Sequence, residues 1–322
     1  MKAKKLIPIT ALALSAIFFS ACAQNNNKVI FSDYWTKDST LTVDSVSETL
    51  EYRVTPDKEE MQASNFTFSY SNGKYTTNLF TEVAADGKTV YVLESTLTID
   101  VTYRYGAQSE KMFNDRVYSL VKFHKAANAL QPISSHKEVK STTPVNGEAA
   151  SLETCYLSYD YTTDITYEGT NVKTVIVNNS EGATQNEKNY SIDNKKYTYL
   201  DNEQFLFAMR GVKPTANGSN TFLVYNPFLN ATQKVQTSYG SATGADTDFS
   251  IDGIAGKQTV QYVPMTIKLD EKNPGQSQTA WIAETTDSTN NKYRNVMLRL
   301  ETPLSYGYGT LIYTLKNANF SK

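Results

Sequence analysis

The stretch TVYVLESTLTIDVTYRY, residues Thr89–Tyr105, alternates between apolar and polar side chains along most of its length. Glu94, Thr98 and Asp100 belong to the polar side. Alternation with a period of two residues indicates a β-strand with one buried face. At about 3.3 Å per residue, this strand is about 56 Å long, which favours a curled sheet over a compact sandwich. The residues on its apolar side are Tyr91, Leu93, Leu97, Ile99, Val101 and Tyr103.

Strands of the same kind are predicted along the rest of the chain. Asn72-Gly73 and Asp86-Gly87 are typical of tight hairpin turns, and Glu168–Asn171 is a third predicted hairpin. The further predicted strands are Leu50–Val54, Phe66–Tyr70, Val117–Phe123, Cys155–Tyr161, Ile165–Tyr167, Val172–Val177, Val263–Leu269, Ala280–Ala283, Tyr293–Leu300 and Thr310–Leu315.

One segment predicts a helix. Asp201 is a suitable N-cap, Gln204 follows three residues later as in a capping box, and Gly211 is placed to end the helix after Phe205–Arg210. Its apolar residues, Phe205, Leu206, Phe207 and Met209, suit the concave side of a curled sheet.

The sequence therefore predicts a mostly β, antiparallel, curled open sheet of half-barrel shape with one short helix. The alternative is a β-sandwich. Residues 29–322 are predicted to form a single extended β domain. The stretch Ser134–Glu153 is rich in Ser, Thr, Lys, Pro and Gly, so it is either a long surface loop or a linker that divides the chain into two β domains.

The N-terminal region has the pattern of a secretory signal. Met1–Lys5 is basic, and the apolar run Leu6–Phe19 is short for a membrane span, which needs roughly 20 residues. Small residues follow in Phe19-Ser20-Ala21-Cys22. Residues 1–21 are therefore predicted to be a signal peptide.

The segment that ends at Cys22 resembles the bacterial lipobox, although Phe19 replaces the usual smaller aliphatic residue. The resemblance implies a diacylglycerol on the Cys22 thiol and further acylation, with palmitate among the acyl chains. Residues 22–28 then form a lipidated tether. The protein is expected outside the cytoplasm, anchored by lipid to the cell membrane or to an outer membrane.

Composition excludes several classes of function. Of 31 basic and 33 acidic side chains, residues 1–21 hold three Lys and no acid, so 28 and 33 remain and the net charge is −5. That charge argues against a nucleic-acid partner. Cys22 and Cys155 are the two cysteines, and His124 and His136 are the two histidines. So few His and Cys disfavour a zinc site and a His-dependent catalytic triad.

Two short motifs match a calcium loop and a serine–lysine hydrolase only in part. Asp248-Phe-Ser250-Ile-Asp252-Gly253 starts like a calcium loop, but Thr259 stands where the bidentate acid is required. The spacing Ser-x-x-Lys at Ser71 and Ser134 matches the serine–lysine hydrolases, yet neither lies on a predicted helix. No cofactor, metal ion or enzymatic activity is expected.

The order of elements in the last part of the chain resembles envelope proteins with the open β half-barrel of the lipoprotein carriers. The similarity covers roughly residues 190–320. In that family a curled antiparallel sheet wraps a short helix, and a concave apolar face holds acyl chains or another apolar ligand. The segments that carry the resemblance are Tyr197–Asp201, Phe205–Arg210, Trp281-Ile282, Arg299–Leu304 and Gly307–Leu315.

The leading hypothesis is a non-enzymatic lipoprotein that binds an apolar or amphiphilic ligand on the apolar side of Thr89–Tyr105. If the helix fills the concave side completely, these residues are core instead. The alternative is a surface adhesion or glycan-binding module that uses tyrosines; a hydrolase ranks last. Cys155 is expected to be a buried and unreactive thiol on an apolar strand face. The tyrosines concerned are Tyr156, Tyr159, Tyr161, Tyr197, Tyr199, Tyr306 and Tyr308.

Overall fold

The computed structural model describes residues 28, 29, 31, 47–107, 109–126, 129–212, 218–269, 277–284 and 293–320. The predicted signal peptide and Cys22 lie outside the described residues, and so does the predicted tether apart from Lys28.

The described chain is mostly β-structure with a single short α-helix, α1, Phe205–Met209. Short 3₁₀ turns lie at Leu152–Thr154, Asn179–Glu181 and Ser305–Gly307. The strands are β1 Glu48–Pro56, β2 Met61–Gln62, β3 Phe66–Val83, β4 Thr89–Tyr105, β5 Ser109–Ala126, β6 Ala129–Pro144, β7 Tyr156–Glu168, β8 Asn171–Asn178, β9 Thr184–Ser191, β10 Thr198–Asp201, β11 Ser219–Asn226, β12 Ala231–Tyr239, β13 Thr243–Asp248, β14 Ser250–Ile251, β15 Lys257–Leu269, β16 Gln278–Ala283, β17 Met297–Pro303 and β18 Thr310–Phe320.

All of these strands belong to one sheet that does not close. Strands β3 to β9 form an antiparallel meander in chain order. Strand β1 lies between β3 and β18, and the sheet continues through β17, β16, β15, β12 and β11 to β10, which runs parallel to β11. The prediction of a curled, open, mostly β fold is confirmed, and a single sheet stands in place of the alternative sandwich.

Strand β4 has the bounds that the sequence predicts. It pairs with β3 and β5 over nearly its whole length. All six apolar residues predicted for one face are buried, and Val101 and Tyr103 have no exposed surface. The polar side chains of the other face are more exposed, so the strand presents its apolar face to the concave side of the sheet.

The hairpin predicted at Asn72-Gly73 is wrong. Strand β3 continues through both residues, and its register against β4 shifts between Ser71 and Lys74, which makes a β-bulge. Asn72 has a φ of 52°, and its amide donates a hydrogen bond to Asp100 at 2.7 Å. A Cβ on Gly73 would lie 2.4 Å from the Val54 carbonyl oxygen, so only glycine fits there.

The stretch Ser134–Glu153 is only partly irregular. Its first half belongs to β6, which extends to Pro144 and pairs with β5 and β7. The interpretation of residues 134–144 as a loop or linker is therefore wrong. The ladder runs unbroken across them, so they do not separate two sheets.

Helix α1 lies on the concave side and is shorter than predicted. Asp201 ends β10; its carboxylate accepts a hydrogen bond from the Glu203 amide at 2.8 Å, but the capping box does not form. Phe205, Phe207 and Met209 are buried in the core. The helix thus fills one end of the concavity and leaves part of it to other side chains.

The two ends of the sheet meet without joining their backbones in a ladder. Side chains of β7 and β8 pack against β11 in a small separate cluster, which we call the seam. The Tyr199 hydroxyl donates to the Gly169 carbonyl at 2.7 Å, and the hydroxyls of Thr174 and Tyr225 lie 2.8 Å apart. The buried residues of the seam are Ile165, Tyr167, Val172, Ile192, Leu223 and Tyr225.

Candidate functional site

Two cavities lie on the concave side of the sheet. The first, about 60 Å³, is bounded by α1 and strands β1, β3 and β4; we call it the helix cavity. The second, about 90 Å³, lies between the wall made by β3–β6 and the strands β17 and β18; we call it the Asp115 cavity. Both belong to the face on which the sequence predicts a ligand.

The residues of β4 predicted to bind a ligand divide between these cavities and the core. Leu97 and Ile99 line the Asp115 cavity, and Leu93 lines the helix cavity. Tyr91, Val101 and Tyr103 line neither: Tyr91 stacks on Phe123 at 5.7 Å between ring centroids, and Tyr103 lies among aromatic core residues. Binding at any of the six stays a prediction.

Most of the wall of the Asp115 cavity is apolar or aromatic. Leu97, Ile99 and Val117 form one side, and Leu311 and Tyr313 of β18 form the other. Leu304 and Ser305 at the rim are partly exposed, so the cavity is not sealed from solvent. It offers an apolar space that can be reached from outside.

A carboxyl group is buried in this wall. Asp115 is 7% exposed. Its Oδ2 accepts hydrogen bonds from the Thr142 amide at 2.8 Å and from the Thr142 hydroxyl at 3.2 Å, whereas Oδ1 lies 3.3 Å from that same hydroxyl. The Tyr103 hydroxyl in turn donates to Thr142 Oγ1 at 3.3 Å. Burial raises the pKa of Asp115 to about 6, against the hydrogen bonds from Thr142, so the group is largely ionised at neutral pH.

A second polar group of this cavity has unused hydrogen-bonding capacity. Ser141 is 8% exposed, and its hydroxyl has no hydrogen-bond partner among the described residues. Buried hydroxyls are almost always satisfied, because an unpaired one costs about 1–3 kcal/mol. The Ser141 hydroxyl is therefore available to a bound molecule.

Two ion pairs adjoin the helix cavity, one partly buried and one buried, and Glu203 and Arg210 of these pairs line it. Lys137 of β6 contacts Glu203 at 2.8 Å, and Arg210 holds Glu48 of β1 through both carboxylate oxygens. Burial is the largest single influence on Glu203 and would raise its pKa, but the charge of Lys137 and the hydrogen bonds from Lys137, Asn202 and Ser119 together outweigh it, so the pKa lies below its usual value. These pairs fix both ends of α1 against the sheet.

The two cavities adjoin through Gln278. This residue lines the helix cavity, and its amide donates to the Thr302 hydroxyl at 3.3 Å, while Thr302 lines the Asp115 cavity. Gln278 is 3% exposed, and its Oε1 has no partner among the described residues.

The short motifs lie elsewhere in the fold. Ser71 and Lys74 flank the bulge of β3, and Lys74 pairs with Glu51 at 2.9 Å. Ser134 and Lys137 lie on β6, where residues three apart point to opposite faces, unlike on the helix of a serine–lysine hydrolase. In the calcium-like loop, the Asp252 carboxylate accepts a hydrogen bond from the Phe320 amide at 2.7 Å and so anchors β18.

The tyrosine groups do not form one surface. Tyr156, Tyr159 and Tyr161 are half-buried against the core, whereas Tyr306 is 49% exposed. Trp281 of β16 is partly buried and stacks on Tyr262 at 4.8 Å between ring centroids. Cys155 is fully buried, as predicted, but it ends a 3₁₀ turn and precedes β7 rather than lying on the strand.

Two further properties concern the described residues as a group. Among them, no cluster of three or more His, Cys, Asp or Glu side chains could hold a metal ion. No helix within this part of the chain is long and apolar enough to cross a membrane.

The sequence reasoning missed Asp115, Ser141 and Thr142. Asp115 shares its period-two phase with Phe113 and Val117, so an acid on an apolar strand face is visible in the sequence once β5 is extended toward its start. The role of Ser141 depends on the cavity, which the sequence does not show.

Comparison with known proteins does not show a family for this chain. No protein-family model matches the chain, and no curated protein matches it. One similar solved structure is the crystal structure of a beta-barrel-like protein of domain of unknown function DUF1849 from Brucella abortus. It has a TM-score of 0.45 and 10% sequence identity, and the match covers 86% of this chain and 98% of that one.

Proposed function

We propose that this protein is a lipid-anchored, extracytoplasmic protein whose concave sheet face binds an apolar or amphiphilic ligand in the Asp115 cavity, with no catalytic step. The N-terminal pattern ending at Cys22 supports the anchor. Two acyl chains bury enough CH₂ groups, at about 0.8 kcal/mol each, for stable attachment.

The observation that carries the binding proposal is the composition of the Asp115 cavity. Apolar residues of β4, β5 and β18 enclose the space, and a carboxyl and an unpartnered hydroxyl lie in one wall. Small-molecule sites are typically apolar clefts with a few polar groups that fix orientation. An amphiphile satisfies both features.

The volume of the cavity limits what enters it. Its 90 Å³ is small beside the roughly 300–1,000 Å³ of typical ligand pockets. One end of a ligand fits inside, and the remainder extends past the partly exposed rim at Leu304 and Ser305. The proposal is therefore for insertion of a ligand end, with the helix cavity as adjoining space.

The test is titration with N-phenyl-1-naphthylamine, a neutral apolar dye whose fluorescence rises in apolar sites. The dye should bind the wild-type protein, and Leu97→Phe, which narrows the cavity, should weaken binding at least about fivefold. Overpacking of this kind typically costs 1–3 kcal/mol of stability, so the folded state is checked by circular dichroism.

Thr98→Phe is the matched control, because Thr98 lies on the same strand but on its other face. It should leave dye binding unchanged. A folded wild-type protein that binds no dye, or equal losses in both variants, contradicts binding in this cavity.

A further inference from the structure

We infer that the end of the ligand that enters the Asp115 cavity carries a positively charged amine. This rests on the proposed function and adds the chemical class of the ligand.

The charge of the Asp115 cavity favours a cation. Asp115 is the one ionisable side chain besides tyrosine among the residues that line it, and none of those residues is basic. The neighbouring cations on β5 are engaged elsewhere: Arg116 lies over the Tyr118 ring at 5.8 Å, and Lys111 pairs with Glu153 at 2.8 Å. Burial of a carboxylate that has no cationic partner is unfavourable in free energy. A cationic ligand supplies that partner for Asp115.

Asp115 and Ser141 have hydrogen-bonding capacity that a ligand can use. Oδ2 of Asp115 accepts hydrogen bonds from Thr142 at 2.8 and 3.2 Å, and among the described residues Oδ1 has only the 3.3 Å contact with the same Thr142 hydroxyl. A carboxylate offers about four lone-pair sites, so acceptor capacity remains. The Ser141 hydroxyl in the same wall has no hydrogen-bond partner in the part of the chain that the structure describes. An alkylammonium group has three hydrogen-bond donors and no acceptor. It therefore suits a carboxylate whose acceptor sites are not all used and a hydroxyl oxygen.

The aromatic lining of the cavity also favours a cation. Tyr70 and Tyr313 line the same cavity from β3 and β18. The faces of aromatic rings attract cations and repel anions. Leu97, Ile99 and Leu311 complete an apolar surface for the carbon chain next to the charge.

The test compares three six-carbon molecules that differ only in their polar end: hexylamine, hexanol and hexanoate. Their binding to the lipid-free full-length mature protein at pH 7.5 is measured by isothermal titration calorimetry. Hydrogen bonds to charged groups are stronger than those between neutral groups, so hexylamine should bind at least about tenfold more tightly than hexanol. Hexanoate should bind more weakly than hexanol.

Two variants locate the preference. Asp115→Asn keeps the shape and removes the charge, so the affinities for hexylamine and hexanol should become similar. Ser141→Ala should lower the affinity for hexylamine a few-fold, but hexylamine should still bind more tightly than hexanol because the Asp115 charge remains. Asp248→Asn is the control, because Asp248 is an exposed carboxylate on β13, a strand that contributes no residue to the lining of the cavity, and it should change neither affinity.

The outcomes separate this inference from the proposed function. If hexylamine and hexanol bind equally tightly to the wild-type protein, the inference of an amine is overturned, and the proposed apolar binding site stands. A preference for hexylamine that persists in Asp115→Asn also overturns it. If none of the three molecules and no naphthylamine dye binds, both proposals fail.

Discussion

Replacement of Arg210 by Met tests how α1 is held against the sheet. The guanidinium donates to Glu48 Oε1 at 2.5 Å and to Oε2 at 2.9 Å, and to the carbonyls of Arg294 and Asn295 at 3.0 and 3.2 Å. Its side chain is 4% exposed and that of Glu48 is 2% exposed. Met fills similar space but removes the hydrogen bonds that the guanidinium donates to a buried carboxylate and two carbonyl groups.

The size of the effect follows from that burial. Removal of one partner from a buried ion pair typically costs about 3–5 kcal/mol, because the other charge stays uncompensated. Arg210→Met should therefore lower the free energy of unfolding by about that amount. Urea unfolding of protein that lacks residues 1–22, followed by circular dichroism at 25 °C, measures it.

A second variant and a control identify the cause. Glu48→Leu combined with Arg210→Met removes the uncompensated charge and should recover at least about 2 kcal/mol of the loss, although the hydrogen bonds from Arg210 to the two carbonyls stay lost. Lys74→Met breaks the exposed pair with Glu51 and should cost less than about 1 kcal/mol. If Arg210→Met costs less than about 1 kcal/mol, or the double variant is no more stable than it, the reasoning is refuted.

Four further predictions follow from single residues. Cys22→Ser should move the protein from the detergent phase to the soluble fraction and abolish fatty-acid labelling; a mutant that still labels contradicts lipidation there. Cys155, fully buried, should react with a thiol reagent only after unfolding. Because the pKa of Asp115 is raised to about 6 by burial, the folded state keeps its proton longer than the unfolded state as pH rises from 4. Wild-type stability relative to Asp115→Asn should therefore fall by up to about 3 kcal/mol between pH 4 and pH 7 in urea titrations. Gly73→Ala should cost about 2 kcal/mol or more, since its Cβ meets the Val54 carbonyl oxygen, and a neutral result would exclude the bulge.

Local alternation predicts much of this fold and fails at particular places. β4 was predicted with its observed bounds because its alternation of apolar and polar residues is nearly unbroken. For β3 the sequence predicts only Phe66–Tyr70, because Asn72-Gly73 is typical of a hairpin, whereas here the same residues form a bulge supported by Asp100. Sequence alone does not distinguish a turn from a bulge when the deciding partner lies on another strand.

β6 was missed for a related reason. Its concave face carries polar residues that look like surface, but distant partners satisfy them: Ser135 donates to Asp201 at 2.7 Å, and Lys137 pairs with Glu203. Both partners lie 66 residues further along the chain. The candidate site was located in part, because Leu97 and Ile99 line the Asp115 cavity. The polar residues that give it chemical character became evident only from their burial.

The pairing of β1 with β18 has a consequence for the order in which the chain is made. Glu48 lies opposite Phe320, so one side of β1 has its partner at the far end of the chain. At roughly 5–20 residues per second, synthesis reaches Phe320 about 15–50 seconds after Glu48. Throughout that interval one edge of β1 is unpaired, and an exposed edge pairs readily with other strands. A chain kept unfolded until its last strand is available avoids that exposure, which is the condition under which a protein is threaded across a membrane before it folds.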